Sequence, residues 1–172
     1  MQLGLTWPLQ RKLRMPVPYG TPIPKDYCWD AHCITLRGSD SLLLVHCLTR
    51  YTCVRFGMTV YDWVHLDEVV LEEIEAGLLE AGLEKDAVAQ YIRDAGPAQF
   101  TRTHGRREVA YLNRAWEDAL RADLLLNLER SRQPALNYIV NSCGCHCAAY
   151  EEKGTAISFL KRWWQEKIVE KE

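Results

Sequence analysis

A dense group of basic and hydroxyl side chains lies between positions 101 and 107, just before the longest helical segment of the chain. These seven residues include three arginines, one histidine and two threonines, and none of them is acidic. A helix that begins near Arg106 would place free backbone N–H groups beside guanidinium groups, a combination that binds phosphate or sulfate. The candidate anion- or partner-binding residues are therefore Arg102, Thr103, His104, Arg106 and Asn113. The alternative is a solvated turn whose arginines pair with an acidic helix.

Two histidines and an aspartate lie in adjacent predicted strands. If residues 28–36 and 42–47 form a hairpin, we expect His32 and His46 to face each other, with Asp30 on the same face as His32. Two imidazoles and a carboxylate can form a metal site or an acid–base pair near neutral pH. The sequence contains none of the complete hydrolase, metalloprotease or nucleotide-binding motifs, so a purely structural role for these residues stays open.

A cysteine-rich run near the C-terminus is a candidate zinc site. Cys143, Cys145, His146 and Cys147 offer thiolate and imidazole ligands. Structural zinc sites usually take paired cysteines from two segments, and on a helix Cys145 would point nearly opposite to Cys143 and Cys147. We therefore predict a cysteine-rich helix end that is sensitive to oxidation, with zinc as the alternative and no other cofactor.

Two adjacent tryptophans lie in a predicted C-terminal helix. Trp163 and Trp164 are accompanied by Lys161, Arg162 and Lys167. Neighbouring helical positions point about 100° apart, so we expect at least one indole to be partly exposed. An exposed indole beside cations could stack on a base or anchor a protein partner. The alternative is that the pair packs against the end of the protein's own sheet.

Length and composition limit the classes of protein to which the chain can belong. The chain has 172 residues, of which 48% are hydrophobic and 26% charged, which predicts one globular domain over residues 1–172. Its net charge of −2 argues against a protein built to coat nucleic acid or an anionic membrane, and no apolar run is long enough to span a bilayer. The N-terminus does not resemble a signal peptide, and seven cysteines are typical of reduced thiols, so we expect a cytoplasmic protein.

Hydrophobic periodicity predicts an α+β fold. Residues 1–60 are mainly β, with strands at 2–6, 28–36, 42–47 and 51–58 and a proline-rich extended crossing at 8–24, and a short strand follows at 98–103. Residues 61–172 are mainly helical, with helices at 66–80, 84–94, 106–130, 134–140 and 155–169. The long helix carries an apolar stripe that includes Leu120, Leu124 and Leu128, which we expect to face the core. We predict a small, mostly antiparallel sheet packed on one side by the C-terminal helices.

Several of these segments resemble a bacterial family of small domains of unknown function. They are Leu3–Leu13, Trp29-Asp30-Ala31-His32, Leu42–Tyr51, Phe100–Arg106 and Asn113, within about 110 residues. The matching family segments run as Trp-His-Ala-Asn, as a strand that ends in Asn-x-x-Thr, as Phe-Thr-Lys-Thr-Asn-x-Arg, and as a later Met-Asn. The chain departs from the family pattern at Asp30, His32 and His46, so a site built on those polar side chains would be altered here. The resemblance implies a fold and candidate positions, and it implies no reaction.

Two functions from different classes follow. The first is a non-catalytic binding module of a bacterium or its phage that engages a macromolecule, with a protein as the expected partner and nucleic acid as an alternative. The second is a phosphate-handling enzyme, or a nucleotide- or nucleic-acid-binding protein, that uses Arg102, Arg106 and Asn113 with His32 or His46 as the acid–base. No membrane partner is expected, and the oligomeric state is left open.

Overall fold

A computed structural model describes residues 1–169 and confirms the α+β class. Two short 3-10 helices, Lys25–Tyr27 and Asp123–Leu125, accompany the main elements. No helix within the described residues is both long enough and apolar enough to cross a membrane. In chain order the main elements are β1 (Gln2–Leu5), α1 (Trp7–Leu13), β2 (Cys28–Leu36), β3 (Ser39–His46), β4 (Thr52–Arg55), α2 (Val60–Val64), α3 (Leu66–Glu80), α4 (Lys85–Ala95), β5 (Gln99–Arg102), α5 (Arg106–Arg121), α6 (Pro134–Ser142), β6 (Gly144–Cys145), β7 (Gly154–Thr155) and α7 (Ala156–Val169).

The main sheet is mixed, which corrects the expectation of a mostly antiparallel one. Its strand order is β4-β3-β2-β1-β5. The pairs β2–β3 and β3–β4 are antiparallel, whereas β1 is parallel to both β2 and β5. The antiparallel hairpin turns at Arg37 and Gly38, whose φ angles of 47° and 79° are those of the tight turns that match strand twist. The long connection after β1 brings the chain back to the end of the sheet at which β1 began, so β2 runs parallel to β1.

Helices cover both faces of this sheet, so the prediction that they pack on one side is wrong. One core lies under α1, α3, α4 and α7 and takes Trp29 and Ala31 from β2. The other lies under α5 and α6 and takes Ile34 and Leu36 from the same strand. The reason is visible in β3, where the run 42–45 is apolar at consecutive positions, so both of its faces need cover.

Two predicted segments differ clearly from the structure, and one helix was missed. The proline-rich segment 8–24 begins with a helix, because Pro8 occupies the first turn of α1, where no intrahelical N–H bond is needed. The predicted helix 106–130 ends at Arg121 instead, and the chain continues into a 3-10 turn. Helix α2 was not predicted; Thr59 and Asp62 cap its N-terminus reciprocally.

Candidate functional site

Three polar side chains from separate parts of the sheet meet beside β1. Asp30 belongs to β2, Cys47 follows β3, and His104 follows β5. Gly4 of β1 lies between β2 and β5, with Asp30 as its partner on one side. A Cβ atom at Gly4 would lie 2.0 Å from Asp30 Oδ1 and 3.0 Å from His104 Nδ1. The missing side chain is therefore what allows Asp30 and His104 to meet across the intervening strand.

Both ring nitrogens and the backbone N–H of His104 have partners. Its Nδ1 lies 2.5 Å from Asp30 Oδ1, and its backbone N–H donates to both carboxylate oxygens at 3.3 and 3.2 Å. Its Nε2 lies 3.2 Å from the side-chain oxygen of Gln2, whose amide nitrogen donates to the Thr21 carbonyl at 2.6 Å. Because both ring nitrogens face acceptors, the hydrogen-bond network suits a doubly protonated imidazolium.

The electrostatics agree with an ion pair. Burial alone would lower the pKa of His104, but the hydrogen bond and charge of Asp30 outweigh it, with a contribution from Cys28, and raise that pKa to about 9. Burial raises the pKa of Asp30, and the bond to His104 opposes this change. Near neutral pH the pair is therefore imidazolium and carboxylate, and it ties the loop after β5 to β2.

Cys47 completes the cluster without forming a catalytic triad. Its Sγ lies 3.5 Å from His104 Nδ1, the same nitrogen that contacts Asp30. A cysteine–histidine–aspartate triad needs the thiol and the carboxylate on opposite ring nitrogens. In addition, Cys47 is only 1% exposed, and burial raises the pKa of its thiol well above the ordinary value. The thiol is therefore protonated and shielded, which is unsuited to nucleophilic attack.

A cavity of about 330 Å³ opens beside this cluster and gathers three of the predicted site residues, Arg102, Thr103 and His104. The Arg102 guanidinium lies over the Tyr19 ring, 4.5 Å from its centre. Lys25 also lines the cavity, and its ammonium group lies 2.7 Å from buried Glu108. The cavity wall is therefore basic, although two of its three cationic side chains already have acidic partners.

Arg106 and Asn113 lie elsewhere, so the predicted five-residue group does not meet in one place. Both side chains are exposed on α5 and neither lines the cavity. The cause is that α5 packs its opposite side, which includes Leu112 and Ala115, against the sheet. Arg106 is therefore a solvent-facing arginine and not one of the structural, buried type.

His32 and His46 do not face each other, which corrects the hairpin expectation. In the register of the hairpin His46 pairs with Trp29 and His32 with Leu43, so the two imidazoles lie on opposite faces of the sheet. His32 does share a face with Asp30, and its Nδ1 lies 2.7 Å from the Thr6 hydroxyl. A joint acid–base or metal site at the two histidines is therefore excluded by the strand register.

His46 is a core residue. Its ring lies between two indoles, with centroids 4.9 Å from Trp29 and 5.0 Å from Trp163. Its Nε2 donates to the backbone carbonyl of Asp26 at 3.1 Å, and its Nδ1 accepts from the Thr49 hydroxyl at 2.9 Å. Burial lowers the pKa of His46 to about 4, so the ring is neutral.

The C-terminal candidates are also placed differently from the predictions. The cysteine run is strand-like instead of helical, because α6 ends at Ser142 and β6 follows, so Cys145 and Cys147 are buried while His146 is exposed. Within residues 1–169, one group of three or more His, Cys, Asp or Glu side chains has all its donor atoms within 4.8 Å of one another, and it consists of Asp30, Cys47 and His104. The cysteine run therefore forms no such group.

Trp163 and Trp164 are both buried, so the expectation of an exposed indole is wrong. The reason is that α7 has neighbours on two sides.

An apolar surface around the end of α5 is the feature that the sequence predictions missed. Leu124, Leu125 and Ile139 are 85, 45 and 40% exposed and line one cavity of about 580 Å³. We call these three residues the leucine patch. The periodicity of segment 106–130 predicted that Leu124 faces the core. Because α5 ends at Arg121, Leu124 lies beyond the helix and faces solvent. Only the correct length of α5 would have predicted this exposure.

The family model described as a domain of unknown function, DUF6933, matches residues 2–158. The chain belongs to this family. No curated protein and no solved structure matches the chain. The resemblance stated from the sequence, to a family of small domains of unknown function, is thereby confirmed at the level of the family.

Proposed function

We propose that this DUF6933 domain is a non-catalytic protein-binding module whose partner docks on the leucine patch. The observation that carries the proposal is the exposure of Leu124, Leu125 and Ile139 around one cavity. Apolar side chains gathered around a cavity are typical of interaction sites, whereas apolar residues scattered singly over a surface are not. The rim carries Arg114 and Arg121, whose guanidinium groups pair with Asp118 at 3.4 and 3.2 Å and with Glu117 at 3.7 Å each. A rim neutralised in this way suits a partner that inserts apolar side chains.

The non-catalytic part of the proposal is supported by the state of the reactive side chains. His46 is neutral and enclosed by aromatic rings, and the Cys47 thiol is protonated and buried. His104 has both ring nitrogens occupied. A general base or nucleophile needs a free, accessible atom within reach of substrate, and none of these three groups offers one.

We further propose that the module works in the cytoplasm of a bacterium or in a cell infected by its phage. All seven cysteines are free, which suits a reducing compartment. The bacterial or phage origin rests on the family resemblance alone.

Site-specific crosslinking tests the docking surface. A photo-crosslinking amino acid at position 124 should capture the partner, and the same amino acid at Val64, an exposed apolar residue that lines a different cavity, should not. With the purified partner, Leu124→Asp should weaken binding by more than about tenfold, since a charge would enter an apolar contact. Crosslinks only at position 64 would contradict the proposal. So would a Leu124→Asp effect confined to self-association, measured by sedimentation of the isolated chain.

A second candidate function is anion binding at the cavity beside His104. The observation that favours it is the joint lining by Lys25, Arg102 and His104, a set that could hold the phosphate of a nucleotide or a nucleic acid. Titration with inorganic phosphate, followed by NMR, tests it. Arg102→Ala should abolish the response, and Arg106→Ala, outside the cavity, should leave it unchanged. Equal responses in the two variants would rule this function out.

A further inference from the structure

The Asp30–Cys47–His104 cluster has the composition of a metal site. Its carboxylate, thiol and imidazole donor atoms all lie within 4.8 Å of one another. They come from three parts of the chain that are far apart in sequence, and both Asp30 and Cys47 are 1% exposed. We propose that these three residues bind one zinc ion that fastens the loop after β5 to strands β2 and β3.

The donor types and the nitrogen–sulfur distance suit zinc. Nitrogen and sulfur ligands at about 2.1 and 2.3 Å from one tetrahedral zinc ion lie about 3.5 Å apart. His104 Nδ1 and Cys47 Sγ are separated by 3.5 Å. A single ring nitrogen can serve only one hydrogen-bond partner well, yet Asp30 and Cys47 both approach Nδ1. Nδ1 and Asp30 Oδ1 lie 2.5 Å apart, whereas nitrogen and oxygen ligands at about 2.1 Å from one tetrahedral zinc ion lie about 3.4 Å apart. An ion in the place of the Nδ1 proton is therefore bonded to all three groups only after the carboxylate moves outwards by about 1 Å.

The groups around the three ligands hold them as metal ligands are usually held. Histidine ligands commonly donate their second N–H to a carbonyl or carboxylate oxygen, which fixes the tautomer and the ring orientation. Here Gln2 provides that oxygen at His104 Nε2, and the bond from Gln2 to the Thr21 carbonyl fixes which end of the amide faces the ring. The backbone N–H of His104 holds the Asp30 carboxylate in turn.

An entry route lies next to the cluster. Cys28 and His104 both line the cavity of about 330 Å³, so an ion can approach the cluster from that side. On binding, one proton leaves His104 Nδ1 and one leaves the Cys47 thiol, and both protons go to solvent.

Zinc binding by the full chain tests the inference. After treatment with a chelator, the protein should take up one zinc ion per chain by elemental analysis. Cobalt should give a thiolate-to-metal charge-transfer band. Cys47→Ser should lose the band and weaken zinc binding by more than about 100-fold, since even outer partners of metal ligands are worth 10- to 100-fold. Cys33→Ala, on the half-buried thiol of β2, should bind as the wild type does.

Two further variants keep the inference open to disproof. Gln2→Leu leaves all donor atoms in place and should weaken zinc binding by about 10- to 100-fold, which a chance thiol contact would not show. Circular dichroism confirms that each variant is folded before titration. Absence of stoichiometric zinc in the wild type overturns the proposal. So does binding that survives Cys47→Ser and disappears in a Cys145→Ser, Cys147→Ser double variant.

Discussion

A single glycine decides whether the polar cluster can exist. Gly4 lies in the strand between β2 and β5, and a Cβ there would meet the Thr103 backbone at 2.8 Å as well as the Asp30 carboxylate at 2.0 Å. The carboxylate could rotate away, but only by abandoning His104, and the Thr103 backbone is fixed by the connection that follows β5. The Asp30–His104 ion pair therefore depends on the absence of a side chain at Gly4.

Gly4→Ala should consequently destabilise the fold by about 3 kcal/mol, the upper range for an overpacked core. Urea unfolding, followed by circular dichroism, gives the free energy of unfolding. Gly144→Ala is the matched control, because its nearest neighbour is the flexible end of Lys153 at 3.4 Å. Equal stabilities for the two variants would show that the space above Gly4 is not required.

The residue types in this cluster were recognisable from sequence, but their grouping was not. Asp30 and His104 were both singled out, in separate motifs 74 positions apart. Joining them requires that β1 lies between β2 and β5 and that it carries a glycine at the crossing, which no local pattern specifies. Cys47 was interpreted from sequence only as one of seven reduced thiols, and only the folded chain places it beside Asp30 and His104.

At the scale of elements, helix α6 covers the β4 edge of the main sheet. The edge strand β4 has its Thr52 N–H and carbonyl bonded by the Asn141 side chain at 2.8 and 2.7 Å. Asn137, one turn earlier, accepts from the Val54 N–H at 2.9 Å. Two amides four residues apart thus imitate a neighbouring strand, which both satisfies the edge and blocks pairing with another chain.

Asn141→Ala should therefore cost about 2–3 kcal/mol, because a buried N–H and a buried carbonyl lose their partner together. Asn113→Ala, on the exposed side of α5, should change the free energy of unfolding by less than about 0.5 kcal/mol. Chemical unfolding of both variants measures the difference. A loss of stability as small for Asn141 as for Asn113 would mean that water can replace the amide.

Helix α3 buries a carboxyl group whose protonation should control stability. Glu73 is 1% exposed and lies 3.6 Å from Arg55, which also pairs with Asp62 at 3.2 Å. Burial raises the pKa of Glu73 to about 7; the charges of Arg55 and Arg132 oppose this rise and that of Glu80 adds to it. The folded protein therefore holds a proton that the unfolded chain releases above its ordinary pKa of 4.5.

The raised pKa of Glu73 makes the stability of the fold depend on pH. Between about pH 4.5 and 7 the folded state binds more protons than the unfolded state, so stability falls as pH rises, by up to about 3 kcal/mol from this group. Glu73→Gln should remove that fall, so its stability relative to the wild type should increase from pH 5 to pH 8. Glu72→Gln, at an exposed neighbouring position, should keep the wild-type slope. Parallel curves for wild type and Glu73→Gln would contradict the assignment.

Across the whole molecule, the elements were more predictable than their arrangement. The bounds of β2 and α3 agree with the sequence periodicity, because each carries an uninterrupted pattern with a turn or glycine after it. The parallel pairing of β1 and the covering of both sheet faces depend on contacts between distant segments. Helix α2 escaped prediction because its five residues are too few for a periodic pattern and because only Trp63 among its apolar side chains packs against the core.

The C-terminal helix α7 joins distant parts of the chain. It places Leu160, Trp163 and Trp164 in the core that α3 and α4 also cover. Trp163 additionally donates its indole N–H to Asp26 at 2.8 Å, a residue 137 positions earlier. The family match ends at residue 158, two residues after the start of α7, so the matched region excludes most of this packing.

A chain that ends at Ser158 should therefore fail to fold cooperatively. It lacks two buried indoles and the side chains of Phe159 and Leu160, and truncation of even one large core side chain typically costs about 3–5 kcal/mol. That loss is comparable to the whole stability of many domains, so removing four such side chains leaves no margin. Thermal unfolding by circular dichroism measures the outcome, with Lys161→Ala in the full chain as the control at an exposed position of the same helix. If the shortened chain melted in one sharp transition near the full-length midpoint, α7 would be an appendage, and the core would have to be complete within residues 1–158.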